Sequence, residues 1–557
     1  MENHKNVGAE NLSRNSATLL RMKRYSWLTI LAVLLFAALT PALAKTLEFD
    51  ALTIADINKA FDTGALTAEK LVQICLARIQ AYDRQGPSLH AVLTLNPKAL
   101  ETARALDAER KAKGPRSPLH GIPIVLKDNY NTFDLPTTGG SVLLEGSIPS
   151  ADAFVVQKLR AAGAIVLAKL NMSEFASGPA RSSLGGQTLN PHDLTRTPSG
   201  SSGGTGVAIA AAYAPLGLGT DTGGSIRGPS TSNGIVGLKP THGLVSRSGI
   251  IPLSLSFDTG GPMARSVSDI AVALGVIAGV DGADAATKKS EGKSETDYTK
   301  YLKADALKGA RIGLARDFLG ADPDVDWVVD AALDAMRKAG ATIVDVRYPK
   351  WLLDSKQEFY NAIRRPEFHA QIAEYLKTTG PGFPKTLEEM IERANRFNAV
   401  RADGAAPNPA RWTLFKREAE SGTLDDYRYT SVRDHGLPMV RAAVEGMLAA
   451  QRLDAIVYPT SPRRPGMIAE TGAPAGGTPG LDGRASPTDI ANLTGFPDLI
   501  VPAGFTGDNL PVGISFFGPA FSEPKLLALG YSFEQATHAR RRPVHTPARA
   551  GESISVP

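Results

Sequence analysis

One cysteine, Cys75, stands in a chain of 557 residues, so no intramolecular disulfide can form. It lies in LVQICLARIQAY, where Leu71, Ile74, Cys75, Ile79 and Tyr82 recur at helical spacing. That pattern predicts a buried structural thiol rather than a nucleophile. No block of five or six like charges occurs, and the formal net charge is only +5. The chain therefore lacks the electrostatic footprint of a nucleic-acid binder, and no such partner is expected. HExxH, paired CxxC and EF-hand loops are all missing, and the nine histidines are scattered, so no metal and no cofactor are expected. What remains, 43% hydrophobic and 21% charged residues, is the composition of a soluble globular protein.

The N-terminus carries its own signal. Arg21, Lys23 and Arg24 precede the apolar run WLTILAVLLFAALT, and PALA follows it. A positive segment, an apolar run and a small-residue ending at Ala42-Leu43-Ala44 predict a secretory signal over residues 1–44, cleaved after Ala44, and a periplasmic or secreted mature protein. The competing reading is a retained anchor, since Trp27 to Ala44 falls near the lower limit of about 17 residues for a spanning helix. Membrane contact is expected only in that case. The polar stretch before Arg21 is long for a leader, which makes Met22 an alternative start.

Over residues 45–557 helix and strand patterns alternate. AFVVQKLRAAG, ending at Gly163, reads as an amphipathic helix and AIVLAKL as a buried strand; DVDWVVDAALDAMRKAG and ATIVDV repeat the unit. GIPIVLKD and LDAIVYP are further short strands. The alternation predicts an α/β architecture, a large sheet covered by helices. Gly279 to Thr299 reads as an exposed connection, Gly466 to Pro487 as a loop over a site, and Trp351 to Leu448 as a mainly helical insertion, about residues 350–450.

Thr197 to Gly204, TPSGSSGG, crowds serine and glycine together, and Gly200-Ser201-Ser202-Gly203-Gly204 satisfies G-x-S-x-G, the serine turn of α/β-hydrolases. A second cluster follows at Gly219-Thr-Asp-Thr-Gly-Gly-Ser225-Ile-Arg227, and Gly121-Ile-Pro-Ile-Val-Leu-Lys127-Asp128-Asn129 lies upstream. In this order the three motifs resemble the amidase signature family, which includes fatty acid amide hydrolase, bacterial peptide amidase, malonamidase and the amidotransferase A subunit. SRSGIIPLSLSFDTGGPMARSVSD, YPTSP, NLTGFPDLIVPAG and LPVGISFFGP extend the likeness over most of residues 45–557. It is densest over about 120–275 and weakest from about Asp284 to Ala450.

The resemblance implies a single large mixed sheet with helices on both faces, and a Ser–Ser–Lys triad. Ser225 then falls on the nucleophile, Ser201 on the bridging serine and Lys127 on the base. The backbone N–H groups of Thr222, Gly223, Gly224 and Ser225 fall on the oxyanion nest. A cis peptide is implied at Gly200–Ser201, and loop-bracing roles at Ser202, Asp221 and Arg227. Ser199 departs from the family's common glycine. NMSEFASG (Asn171 to Gly178) falls on the cleft lining, with Glu174 structural rather than an acid catalyst.

The residue types fit this chemistry. A serine hydroxyl needs a base, and lysine is one only when neutral, with its pKa brought down from about 10.4. Burial behind Ile-Pro-Ile-Val-Leu would do that. The expected activity is hydrolysis of a carboxylic amide, small or peptidic, through an acyl-enzyme. The triad does not discriminate among amides, so selectivity falls to the helical insertion and the Gly466 to Pro487 loop. Three other readings compete: a histidine-dependent esterase using Ser202 with Asp454 and His538, an amidotransferase A-like subunit, and an inactive scaffold.

Overall fold

The apolar runs that the sequence brackets with turn residues become strands, and the amphipathic stretches between them pack across the strands. The computed structural model describes residues 45–468 and 486–556. The expected leader and most of the Gly466 to Pro487 segment lie outside the described residues. In chain order the strands are β1 (Lys45–Glu48), β2 (Val92–Leu95), β3 (Pro123–Lys127), β4 (Ile165–Leu170), β5 (Arg181–Ser182), β6 (Gly186–Gln187), β7 (Leu216–Asp221) and β8 (Val236–Lys239). They continue with β9 (Thr259–Ala264), β10 (Arg311–Ala315), β11 (Thr342–Val346), β12 (Ala455–Pro459), β13 (Asp498–Phe505), β14 (Pro511–Phe517) and β15 (Ser553–Val556).

Eleven of these form one sheet in the order β11-β10-β12-β14-β13-β8-β9-β7-β3-β4-β2. It is mixed: β3 runs parallel to β4 and β7, and β10 to β11 and β12, while β8 and β9 pair antiparallel with their neighbours. Helices flank the sheet, as expected. Ile124, Val125 and Leu126 of β3 have no exposed surface, which explains a continuous apolar run in place of alternation. The two predicted helix–strand units form as helix Phe154–Ala161 with β4 and helix Pro323–Lys338 with β11. Asp322 caps the second helix by accepting from the Asp324 N–H, with Pro323 at its first position. Cys75 is buried in helix Ala68–Ile79.

Between β11 and β12 come the helices Lys350–Leu376, Leu387–Arg396, Pro409–Ala419, Tyr427–Ser431 and Leu437–Ala450. Phe368, Ile372, Leu376, Leu387 and Phe415 bury their side chains with Met172, Phe175, Ile251 and Leu253, a core separate from that under the sheet. The Gly279 to Thr299 connection is largely exposed but tethered: Ser246 Oγ donates to Asp281 Oδ2 at 2.6 Å, and Arg247 pairs with Asp284. Among the described residues no helix is long and apolar enough to cross a membrane.

Candidate active site

Lys127 is the last residue of β3, and its side chain is carried to the C-terminal edge of the sheet with no exposed surface. Nζ donates to Ser201 Oγ at 2.7 Å and to Thr220 Oγ1 at 2.8 Å. Burial brings its pKa down from 10.5 to about 7, against the opposing pull of the Asp221 and Asp258 charges. Among the described residues Lys127 forms no ion pair, so nothing holds the ammonium form as a close counterion would.

Ser201 follows a cis Gly200–Ser201 peptide, as the resemblance implied, and is 2% exposed. The adjacent Ser202 has no exposed surface. Its Oγ donates to the Thr220 carbonyl at 3.1 Å and accepts from the Thr220 N–H at 3.3 Å, while its own N–H donates to the Ser225 carbonyl at 3.1 Å. Ser202 thus ties the first serine cluster to the end of β7 and to the second cluster. Helix Gly203–Ala210 then starts against Asn171: a Cβ on Gly204 would lie 2.2 Å from the Asn171 carbonyl oxygen, so only glycine fits.

The second cluster leaves β7 as a tight turn. Ser225 is partly exposed, and its Oγ makes no hydrogen bond among the described residues, the Ser201 hydroxyl included. Gly224 has φ +114°, and a Cβ there would meet Thr488 Oγ1 at 2.8 Å. One expectation for the oxyanion nest is corrected. The Gly224 N–H donates to Asp221 Oδ1 at 2.9 Å, which assigns it to the bracing of the turn. The N–H groups of Gly223 and Ser225 have no acceptor among the described residues.

Asp221 and Arg227 form the brace. Asp221 also accepts from the Ile226 N–H at 2.9 Å, from Arg227 Nε at 3.1 Å and Nη2 at 2.9 Å, and from Asn492 Nδ2 at 2.9 Å. Burial works to raise this carboxyl, but the Arg227 charge overrides it and holds it well below the usual carboxylate range. Arg227, fully buried, donates further to the Thr488 carbonyl at 2.8 Å and Asp498 Oδ2 at 3.0 Å. Both groups serve the shape of the turn, and among the described residues neither makes a hydrogen bond or ion pair with Lys127 or Ser201.

Glu174 has no exposed surface and accepts from Ser141 Oγ, Ser183 Oγ, the Ser183 N–H, Asn408 Nδ2 and Trp412 Nε1 at 2.6–3.1 Å. With every lone-pair direction engaged it is structural, and it locks helix Pro409–Ala419 onto the Asn171 to Gly178 segment. The residues proposed for a histidine-dependent esterase do not assemble. Ser202 is buried in the bonds above, Asp454 binds Lys525 Nζ and the Arg311 N–H, and His538 ends helix Glu523–Thr537 in a left-handed turn.

The amidase family model matches residues 70–527. This chain belongs to the amidase family. Among solved structures the amidase is similar to the peptide amidase of Stenotrophomonas maltophilia, 38% identical over 89% of this chain and 99% of that one, with a TM-score of 0.79. An amidase family protein from Bacillus anthracis is 33% identical over 88% and 92%, with a TM-score of 0.77. Among curated proteins it is similar to the glutamyl-tRNA(Gln) amidotransferase A subunit of Chloroflexus aggregans, 37% identical over 508 residues, 89% of this chain and 98% of that protein.

Sequence reasoning missed Thr220 and Asp258. The amidase holds Thr220 Oγ1 between Lys127 Nζ and Asn129 Nδ2, and Asp258 accepts from Thr222 Oγ1 at 2.5 Å. Thr220 sits inside the glycine-serine motif itself. Asp258, on a segment read only as family-like, has no local signal that it returns to the turn that carries Ser225.

Proposed function

We propose that this amidase hydrolyses a linear carboxylic amide to an acid and an amine or ammonia, through an acyl-enzyme on Ser225. The observation that carries the reading is the 2.7 Å contact between Ser201 Oγ and a wholly buried Lys127 whose pKa is brought to about 7. Near neutral pH a large fraction of Lys127 is uncharged, and its lone pair then accepts the Ser201 proton. Ser201 in turn accepts the proton of Ser225, whose oxygen attacks the amide carbon. That step requires the Ser225 hydroxyl to turn toward Ser201; catalytic hydrogen bonds commonly tighten only once substrate is bound. Free N–H groups at Gly223 and Ser225 receive the developing oxyanion, where one donor is worth about 3–4 kcal/mol. The same chain returns a proton to the nitrogen as the C–N bond breaks, and water releases the acid.

Lys127→Ala, Ser201→Ala and Ser225→Ala are each expected to lower kcat by on the order of 10³-fold or more. A screen of C-terminal peptide amides, anilides and short aliphatic amides identifies the substrate. Ser225→Ala with wild-type turnover removes the reading. The N-terminal pattern supports export of this amidase, and fractionation of cells expressing the full chain tests it.

A second reading rests on the likeness to the amidotransferase A subunit, which spans 98% of that relative. Hydrolysis of simple amides by the isolated chain favours the first reading. Activity that appears only with partner proteins favours the second.

A further inference from the structure

The segment Phe257–Asp258–Thr259 lies at the start of β9 and runs alongside the nucleophile turn, residue by residue. Thr259 Oγ1 donates to the Asp221 carbonyl at 3.1 Å. Asp258 Oδ1 accepts from Thr222 Oγ1 at 2.5 Å. The Phe257 ring stacks on Tyr360 with centroids 5.4 Å apart and 15° between planes. The Tyr360 hydroxyl covers Gly223 so closely that a Cβ on Gly223 would lie 2.8 Å from it. Three consecutive residues thus support Asp221, Thr222 and Gly223 in order.

Asp258 is itself held on its other side. Oδ2 accepts from the Leu253 N–H at 2.8 Å and the Ser254 N–H at 3.0 Å. That loop hangs on helix Lys350–Leu376. Glu367 Oε2 accepts from Ser254 Oγ at 2.6 Å and from the Ser256 N–H at 3.0 Å, and the Leu255 N–H donates to Gln371 Oε1 at 2.8 Å. The contacts run unbroken from the helical segment to Thr222, the residue that precedes Gly223.

We propose that Asp258 is a positioning residue for this amidase: it fixes the Thr222 side chain, and through it the aim of the Gly223 and Ser225 N–H groups at the substrate's carbonyl oxygen. The inference rests on the reading of Ser225 as nucleophile. A carboxylate that accepts three hydrogen bonds in a buried site cannot swing, so the turn it holds cannot either. An N–H group preorganised in this way needs no rearrangement as charge builds on the oxygen. Asp258 touches no reacting atom. Its contribution falls on the rate of attack and leaves substrate affinity largely untouched.

A tagged fluorophosphonate tests this with no need for a known substrate, because its phosphoryl oxygen develops charge at the same place. Wild type, Thr222→Val, Thr222→Ser and Asp258→Asn are compared by the second-order rate of labelling, by peptide mapping of the label and by Tm. Thr222→Val keeps the shape and removes the hydroxyl, and it is expected to label at Ser225 at least 10-fold more slowly while still melting cooperatively. Thr222→Ser restores the hydroxyl and is expected within threefold of wild type. Asp258→Asn, whose single carbonyl oxygen cannot accept both from the Leu253 and Ser254 N–H groups and from Thr222 Oγ1 on opposite sides, is expected to be slowed at least as much as Thr222→Val. Thr222→Val is the milder variant and decides the question if Asp258→Asn does not fold. A folded Thr222→Val that labels at the wild-type rate overturns the proposal and leaves the nucleophile assignment standing. Wild type that carries no label on Ser225 overturns both.

Discussion

Lys127 Nζ reaches Ser201 Oγ at 2.7 Å from the last position of β3, with no ion-pair partner among the described residues. Burial lowers the pKa of an amine by penalising its charged form, and no adjacent carboxylate reverses the effect. In the proposed mechanism the relation between these two residues is what lets Lys127 act as a base near neutral pH.

The first consequence is a pH profile. In the proposed mechanism Lys127 acts in its neutral form, so kcat/KM is expected to fall as the pH drops through about 7 and to level off above it. Lys127→Arg, always charged, is expected to be inactive at every pH. Initial rates between pH 5.5 and 9.5 check both.

The same shift enters stability. Between about 7 and 10.5 the unfolded chain holds a proton on Lys127 that the folded chain does not, so stability from this site rises with pH across that window. Below 7 both states are charged and the folded protein carries the full burial cost. The Tm of Lys127→Met relative to wild type is therefore expected to be higher at pH 6 than at pH 9, which thermal melts read directly.

Ser202 and Ser201 are neighbours with separable roles. Ser202→Ala removes the hydroxyl that both donates to and accepts from Thr220, at an expected cost of about 1–3 kcal/mol in unfolding free energy. Fluorophosphonate should still attach to Ser225 in that variant. Urea denaturation and peptide mapping check the two halves of the expectation.

Glu174→Ala strands the five donors that converge on the carboxylate. A loss of about 3–5 kcal/mol is expected, the cost of breaking a buried charged network from one side. If Glu174 were an acid catalyst, the folded variant would lose turnover at low temperature; activity per folded molecule is expected to stay within about tenfold.

Gly224→Ala places a methyl against Thr488 at a φ of +114° that side chains rarely adopt. The turn must shift, and kcat is expected to drop by at least about 10²-fold, since 1 Å of misplacement at a reacting centre can cost that much. Steady-state kinetics on any hydrolysed amide measures it.

Much of this arrangement is written locally. Apolar runs such as Ile124–Leu126 specify buried strands, the amphipathic stretches 154–161 and 323–338 specify the helices that flank the sheet, and the glycine-serine motif names the residues of the turn. Glycine at 224 and 204 follows from backbone demands that no other residue meets. The esterase alternative rested on a literal G-x-S-x-G match, and the burial of Ser202 with the separate bonds of Asp454 and the helix-end position of His538 speaks against it. The Gly224 N–H read as an oxyanion donor because sequence shows the nest but not the carboxylate that already occupies one of its donors.

By itself the sequence determined which residue types are available, their order, and the strand and helix periods that place Lys127 at a strand end and Ser225 after one. Tertiary structure decided how far Lys127 is desolvated, which serine faces it, and that Asp258 and Glu367, distant in the chain, support the turn. The reason is physical: the pKa of an amine and the aim of an N–H depend on what surrounds them in space, and those neighbours come from several separate segments of the chain.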